Sequence, residues 1–220
     1  MSLRNGIARV LRLQRKALAL SDDGRFDRAE SAYLTALDVL QAAAGKDNPD
    51  YANLLNLLAE TRQEAGRVDE AEAAFRESLG IARRYASGEP GGVKLHALLG
   101  LGHVYLARGE YVRAEPVGKQ AVRLAERIFG PDHPEVSAAL NSLAVLYKYM
   151  ARFVDAGRLY QRALAISEQA LGSDHPDVAT IYHNLGGLEH AAGNFERGEP
   201  FARRAVEIRR RALGPDHPDV

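Results

Sequence analysis

Apolar positions in this chain fall at helical spacing. Between Val136 and Met150 they are Val136, Leu140, Leu143, Ala144 and Tyr147; from about Val154 to Leu171 they are Ala156, Tyr160, Ala163, Leu164 and Ile166. Each set predicts a helix that buries one stripe and leaves the rest polar. Pro134 suits the first turn of the first helix, where its missing N–H costs nothing. Asp132 or His133 caps that end, and Glu135 sits at the positive end of the dipole. Ala151-Arg152-Phe153 forms a short turn between the two helices. Gly172 stops the second, because glycine takes the left-handed conformation without strain.

This helix pair is one copy of a repeat. The loops Gly130-Pro131-Asp132-His133-Pro134-Glu135-Val136, Gly172-Ser173-Asp174-His175-Pro176-Asp177-Val178 and Gly214-Pro215-Asp216-His217-Pro218-Asp219-Val220 recur at a step of 42 residues. Gly45-Lys46-Asp47-Asn48-Pro49-Asp50-Tyr51 is a diverged copy. The stretch Ser87-Gly88-Glu89-Pro90-Gly91-Gly92 is a degenerate one, read as an ordinary loop with one inserted residue. Small residues keep the same phase at Ala29, Ala71, Ala114, Ala156 and Gly198, and again at Ala36, Ser78, Ala121, Ala163 and Ala205. A turn series runs Gly24, Gly66, Gly109, Ala151, Gly193, followed two residues later by Phe26, Val68, Tyr111, Phe153 and Phe195. Small residues mark where paired helices cross closely, and Tyr33, Phe75 and Tyr160 fill the space beside them. Five repeats are predicted, at about 5–47, 48–89, 90–132, 133–174 and 175–216, with a sixth beginning at 217–220. No unit of this size closes its own core, so neighbours must stack.

Asn141-Ser142-Leu143-Ala144-Val145-Leu146-Tyr147, followed by Phe153, Ala156, Tyr160 and Ala163-Leu164, resembles a tetratricopeptide repeat. The 42-residue period and the Gly-x-Asp-His-Pro-x-Val loop are similar to the kinesin-light-chain subtype. The resemblance covers nearly the whole chain and is most specific from Leu98 to Val220. It implies an all-α, right-handed superhelical α-solenoid. First helices would line a concave groove, with second helices outside. In the first repeat the slot of Leu58, Leu101, Leu143 and Leu185 is held by Lys16, so that helix is expected to be a solvated cap. The resemblance also implies a binding role, with an extended peptide or partner helix in the groove. Of the family's Leu-Asn-Asn-Leu-Ala run, Asn56, Asn141 and Asn184 survive. An asparagine amide offers both a donor and an acceptor, so it can satisfy a peptide backbone whatever its sequence. The family's arrangement of two lysines, two asparagines and an arginine that clamps a C-terminal carboxylate is not visible, because His96 and Gly100 occupy its basic slots.

The predicted groove residues are Asn53, Asn56, Glu60, His96, His103, Asn141, Lys148, His183, Asn184 and His190, which project from the polar face of the first helices. The same residues would serve as an ordinary solvated face. His96/His103 and His183/His190 are spaced by seven residues, about 10.5 Å along a helix, too far for either pair to share one metal. His133, His175 and His217 track the period and read as helix-start architecture. Pro116 and Pro200 share one slot near the start of a second helix and read as structural.

Composition narrows the classes. Lys plus Arg and Asp plus Glu each total 29, and cysteine is absent. No overall field draws the chain to nucleic acid or a membrane, and thiolate chemistry is excluded. Arg209-Arg210-Arg211 makes the end locally basic but lacks interleaved aromatics for stacking bases. No apolar run reaches membrane-spanning length, and no uninterrupted signal core opens the chain, so a cytoplasmic location is the default. Gly88–Gly92 lacks the Gly-Lys-Ser/Thr of a phosphate loop. No nucleophile motif or paired acids support catalysis. Abundant alanine and arginine over lysine suggest a bacterial source.

The sequence therefore predicts a non-catalytic protein–protein interaction scaffold without cofactor or metal, whose partner is a protein or peptide. The alternatives are a sensor module for a small ligand or signalling peptide, or an accessory segment of a larger protein. The fifth repeat is expected to expose apolar surface, through which the array continues or a homodimer forms.

Overall fold

The computed structural model describes residues 3–85, 90–214 and 217, with the backbone alone at Leu3, Arg4 and Pro90. The described residues form ten helices and no strand: α1 (Leu3–Asp22), α2 (Phe26–Ala44), α3 (Pro49–Glu64), α4 (Val68–Ala82), α5 (Pro90–Ala107), α6 (Tyr111–Phe129), α7 (Pro134–Tyr149), α8 (Phe153–Leu171), α9 (Pro176–Ala191) and α10 (Phe195–Leu213). None is long and apolar enough to cross a membrane. The chain divides into two compact units, Met1–Gly109 and Glu110–Val220. In the first, α1 to α5 pack in order and α3 also touches α5. In the second, α6 to α10 do the same and α7 touches α9.

Local chemistry sets the ends. Pro49, Pro134 and Pro176 open their helices, and the preceding side chain caps each start. Asn48 accepts from the Tyr51 N–H at 2.8 Å. Of the two predicted caps of α7, His133 is the one used: its Nδ1 accepts from the Glu135 N–H at 3.2 Å, and His175 treats Asp177 alike. The His133 ring also stacks on Phe129, 4.7 Å between centroids. The turn inside each helix pair needs positive φ, which glycine supplies without a Cβ clash. Gly24, Gly66, Gly109 and Gly193 have φ between 69° and 80°, whereas Ala151 is forced to 56°. Gly91 and Gly92, read as loop in the sequence, lie in the first turn of α5, while 86–89 fall outside the described residues. Pro116 and Pro200 lie inside α6 and α10, which continue through them.

The core follows the small-residue register. Ala29, Ala71, Ala114, Ala156 and Gly198 are buried, as are Ala36, Ser78, Ala121, Ala163 and Ala205. Tyr33, Phe75 and Tyr160 share one slot and are fully enclosed. Phe75 fits only because Gly100 faces it, since a Cβ on Gly100 would lie 2.2 Å from the ring. In the fifth repeat the same slot holds Ala202, which is exposed beside Pro200 and Val206 and edged by Arg203 and Arg210. At the other end Lys16 is exposed, together with Leu11 and Leu18, and α1 buries little beyond Val10 and Ala17.

Ionic contacts join successive helix pairs. Glu30 on α2 receives Arg62 and Arg67, both at 2.8 Å. Glu72 on α4 pairs with Arg108. Glu115 on α6 receives Arg152 at 2.9 Å, Lys119 at 2.7 Å and the Tyr147 hydroxyl at 3.1 Å. Hydrogen bonding from Lys119, then Arg152 and Tyr147, holds the Glu115 carboxyl down at about 2 despite some desolvation. In the fourth repeat the matching slot is Gly157, with Leu188 packed over it, and the arginine slot in the next turn is Asn194.

Candidate functional site

Five predicted groove residues lie in the first unit, on α3 and α5. Asn53 is half-buried. Asn56 has no exposed surface; its Nδ2 donates to the Val93 carbonyl at 2.9 Å, and its Oδ1 is buried without a partner. It ties α3 to α5 and presents nothing to a guest. This departs from the sequence reading, in which Asn56 offers a groove amide. Glu60 is exposed and meets His96 Nε2 at 2.6 Å. The His96 ring lies 6.4 Å from Phe75. His103 is open to solvent, yet desolvation by the surrounding protein lowers its pKa, with Glu60 opposing. On this face three of the polar groups are engaged with the protein itself, through the Asn56 and Glu60–His96 contacts.

The other five lie in the second unit, on α7 and α9. Asn184 Nδ2 donates to Asn141 Oδ1 at 2.9 Å, and both residues are half-buried. The Asn141 amide N–H groups and the Asn184 carbonyl oxygen have no other protein partner among the described residues. The pair therefore shows one donor and one acceptor side by side. Next to Asn141 is a recess of about 160 Å³ between α7 and α9, bounded by Pro134, Ser137, Ala138, Asp177, Thr180 and Ile181, with Ser167 at its base. Ser137 Oγ donates to the Ala163 carbonyl at 2.8 Å and lies 2.7 Å from Ser167 Oγ, so these buried hydroxyls ask nothing of a ligand. A cavity of about 150 Å³ holds a benzene ring, so the recess takes one branched or aromatic side chain. Two turns along α7 stands Lys148, half-buried, its pKa lowered by burial. His183 and His190 are exposed, and the His190 ring sits edge-on to Phe195 with centroids 4.9 Å apart.

Among the described residues no three His, Asp or Glu side chains gather in a way that could hold a metal ion. The loop histidines His133 and His175 are occupied as helix caps.

The repeat signature is general. A tetratricopeptide-repeat family model matches residues 6–84, 94–169 and 143–197, and a second matches 178–219. The chain belongs to the tetratricopeptide-repeat family. Its repeats are kinesin-light-chain-like in period and in likeness to solved structures. The crystal structure of BtubC (BKLC) from P. vanneervenii superposes with a TM-score of 0.74 at 26% identity, covering 99% of this chain and 94% of that one. The nearly identical TPR-like repeats of a Podosopora anserina protein described as a kinesin light chain give 0.74 at 21% identity, covering 93% and 97%. A Rap protein complexed with Competence and Sporulation Factor gives 0.77 at 13% identity, covering 93% of this chain and 55% of that one. No curated protein matches the sequence.

The tetratricopeptide register also explains what sequence reading missed. Ala138 and Thr180 occupy the slot of Asn53 and His96 in their own repeats. That register points to the wall of the α7/α9 recess, although neither residue is polar enough to stand out alone. Gly187 shares the slot of Glu60, His103 and Val145, and only the structure shows what its missing side chain leaves open.

Proposed function

We propose that this protein is a non-catalytic interaction scaffold and that the α7/α9 face holds an extended segment of a partner protein. The Asn141–Asn184 pair carries the reading. Its one internal hydrogen bond fixes both amides and leaves a donor and an acceptor for a peptide group, which every extended backbone offers. The recess beside Asn141 would take a side chain of that segment, and the Glu60–His96 face would contribute less because its polar groups already meet each other. Affinity capture from the host, with the wild type beside the Asn141→Ala/Asn184→Ala double variant, tests it. The double variant is expected to lose partners that the wild type retains. Equal recovery of every partner by both proteins would overturn the reading.

A second reading is a sensor module that takes a small ligand or a signalling peptide. It draws on the recess and on the fold shared with the Rap protein complexed with Competence and Sporulation Factor. Calorimetric binding of a small molecule abolished by Ala138→Phe, with partner capture unchanged, would favour it.

A further inference from the structure

Lys148 is half-buried near the end of α7, and no carboxylate among the described residues pairs with it. The ring of Tyr149 lies 5.4 Å from its Nζ. Burial lowers its pKa and no acid offsets that. An ammonium withdrawn from water without a counter-ion is unfavourable, so its position calls for something to meet it. Its Nζ lies over Gly187 of α9. A Cβ built there would be 3.7 Å from Nζ, at ordinary contact distance, with nothing else within 4 Å. Glycine in a helix costs about 1 kcal/mol relative to alanine. The equivalent positions Glu60, His103 and Val145 all carry side chains. On the same face of α9, His183 precedes Gly187 by four residues and His190 follows by three, spacings that place side chains beside one another. Both histidines are exposed, and His190 is steadied against Phe195. The nearby carboxylate of α9 is committed elsewhere: Glu189 pairs with Arg197 at 3.3 Å and accepts from Asn194 at 2.9 Å.

We propose that Lys148, His183 and His190 form a subsite over Gly187 for one compact oxyanion carried on a side chain of the guest segment, a carboxylate or a phosphoryl group. The proposal rests on the guest-binding reading above and adds the chemistry the guest must carry. Charge-assisted hydrogen bonds from an ammonium are the strong kind, and the imidazoles add donors on either side. The bare helix at Gly187 gives the anion its room.

The test follows the Lys148 side-chain NMR signal in the full-length chain. The probes are inorganic phosphate and three blocked glycine peptides with a central phosphoserine, aspartate or serine. An anionic peptide is expected to shift Lys148, His183 and His190 saturably, to raise the Lys148 pKa, and to bind at least about tenfold tighter than the serine peptide. Preference for phosphoserine or for aspartate identifies which oxyanion the site takes. Lys148→Gln should erase the preference. So should Gly187→Asp, which places a carboxylate against the ammonium and keeps the fold by circular dichroism. Uniform shifts over all surface lysines, unchanged binding in Gly187→Asp, or phosphate binding with no preference among the peptides would overturn it. If Asn141→Ala/Asn184→Ala loses its partner while Lys148→Gln keeps it at full affinity, this subsite falls and the guest-binding reading stands.

Discussion

The α3/α5 face and the α7/α9 face are built from the same register positions and spend them differently. Asn56 and Asn141 occupy one slot. In the first unit the amide is sealed and reaches the Val93 carbonyl; in the second it stays half-open and meets Asn184. The slot that supplies Asn184 is emptied to Gly100 in α5, where Phe75 needs the volume. Glu60 faces His96, whereas its counterpart Gly187 faces Lys148, which no carboxylate among the described residues meets. One face uses its polar groups for internal cohesion. The other leaves part of its hydrogen-bonding capacity open.

The largest test of that contrast is Gly100→Ala. The new methyl would meet the Phe75 ring at 2.2 Å. Overpacking a tight core costs about 3 kcal/mol at the upper end of its usual range. Urea denaturation should show the loss, and Gly100→Ala/Phe75→Leu should recover part of it. Next comes the asparagine pair. Asn56→Ala removes a buried hydrogen bond and should cost about 1.5 kcal/mol, since an unpartnered Oδ1 leaves with it. Asn141→Ala, at a half-open position, should stay within about 0.5 kcal/mol. Equal losses would break the comparison.

Two substitutions in the second unit should raise stability by about 1 kcal/mol each. Ala151→Gly relieves the left-handed turn that glycine serves in the four equivalent turns. Tyr160→Phe removes a buried hydroxyl that has no hydrogen-bond partner among the described residues, giving the slot the residue that Phe75 already provides in the first unit. Thermal unfolding followed by circular dichroism measures both, and a drop in either variant would contradict the account. The smallest effect is a pH response. Glu115 is depressed to about 2 in the fold, against about 4.3 for an unperturbed glutamate. Its contribution is fully present above the unfolded value and disappears as pH falls from about 4.3 toward 2. Glu115→Gln should flatten the stability profile over that window, most visibly at low salt.

Much of the fold was legible because each sequence signal acts locally. The glycine series marks positive-φ turns, Pro134 and Pro176 mark helix starts, and the alanine series marks crossings. The site was less legible. Helical phase tells which side a residue faces but not how deeply the neighbouring helix covers it. Asn56 and Asn141 share a phase, yet Asn56 reaches a carbonyl 37 residues away, a contact that its own helix cannot announce. Glu60 and His96 are both polar residues of first helices, but their mutual pairing depends on how α3 and α5 meet. Gly91 and Gly92 look like loop because glycine disfavours helices, yet α5 begins at Pro90 and carries them through.

Between the last two helix pairs Gly157 sits under Leu188 in place of the carboxylate of the earlier joints, and the ion pairs there move to the loop, where Arg204 and Arg211 meet Asp174 at 2.9 and 3.4 Å. At the three earlier joints, brine weakens the attraction between carboxylate and guanidinium, while apolar contact is indifferent to dissolved salt or strengthened by sulfate. Rising ionic strength should therefore weaken the ion pairs at every joint, those of Asp174 included, while the Gly157–Leu188 contact holds.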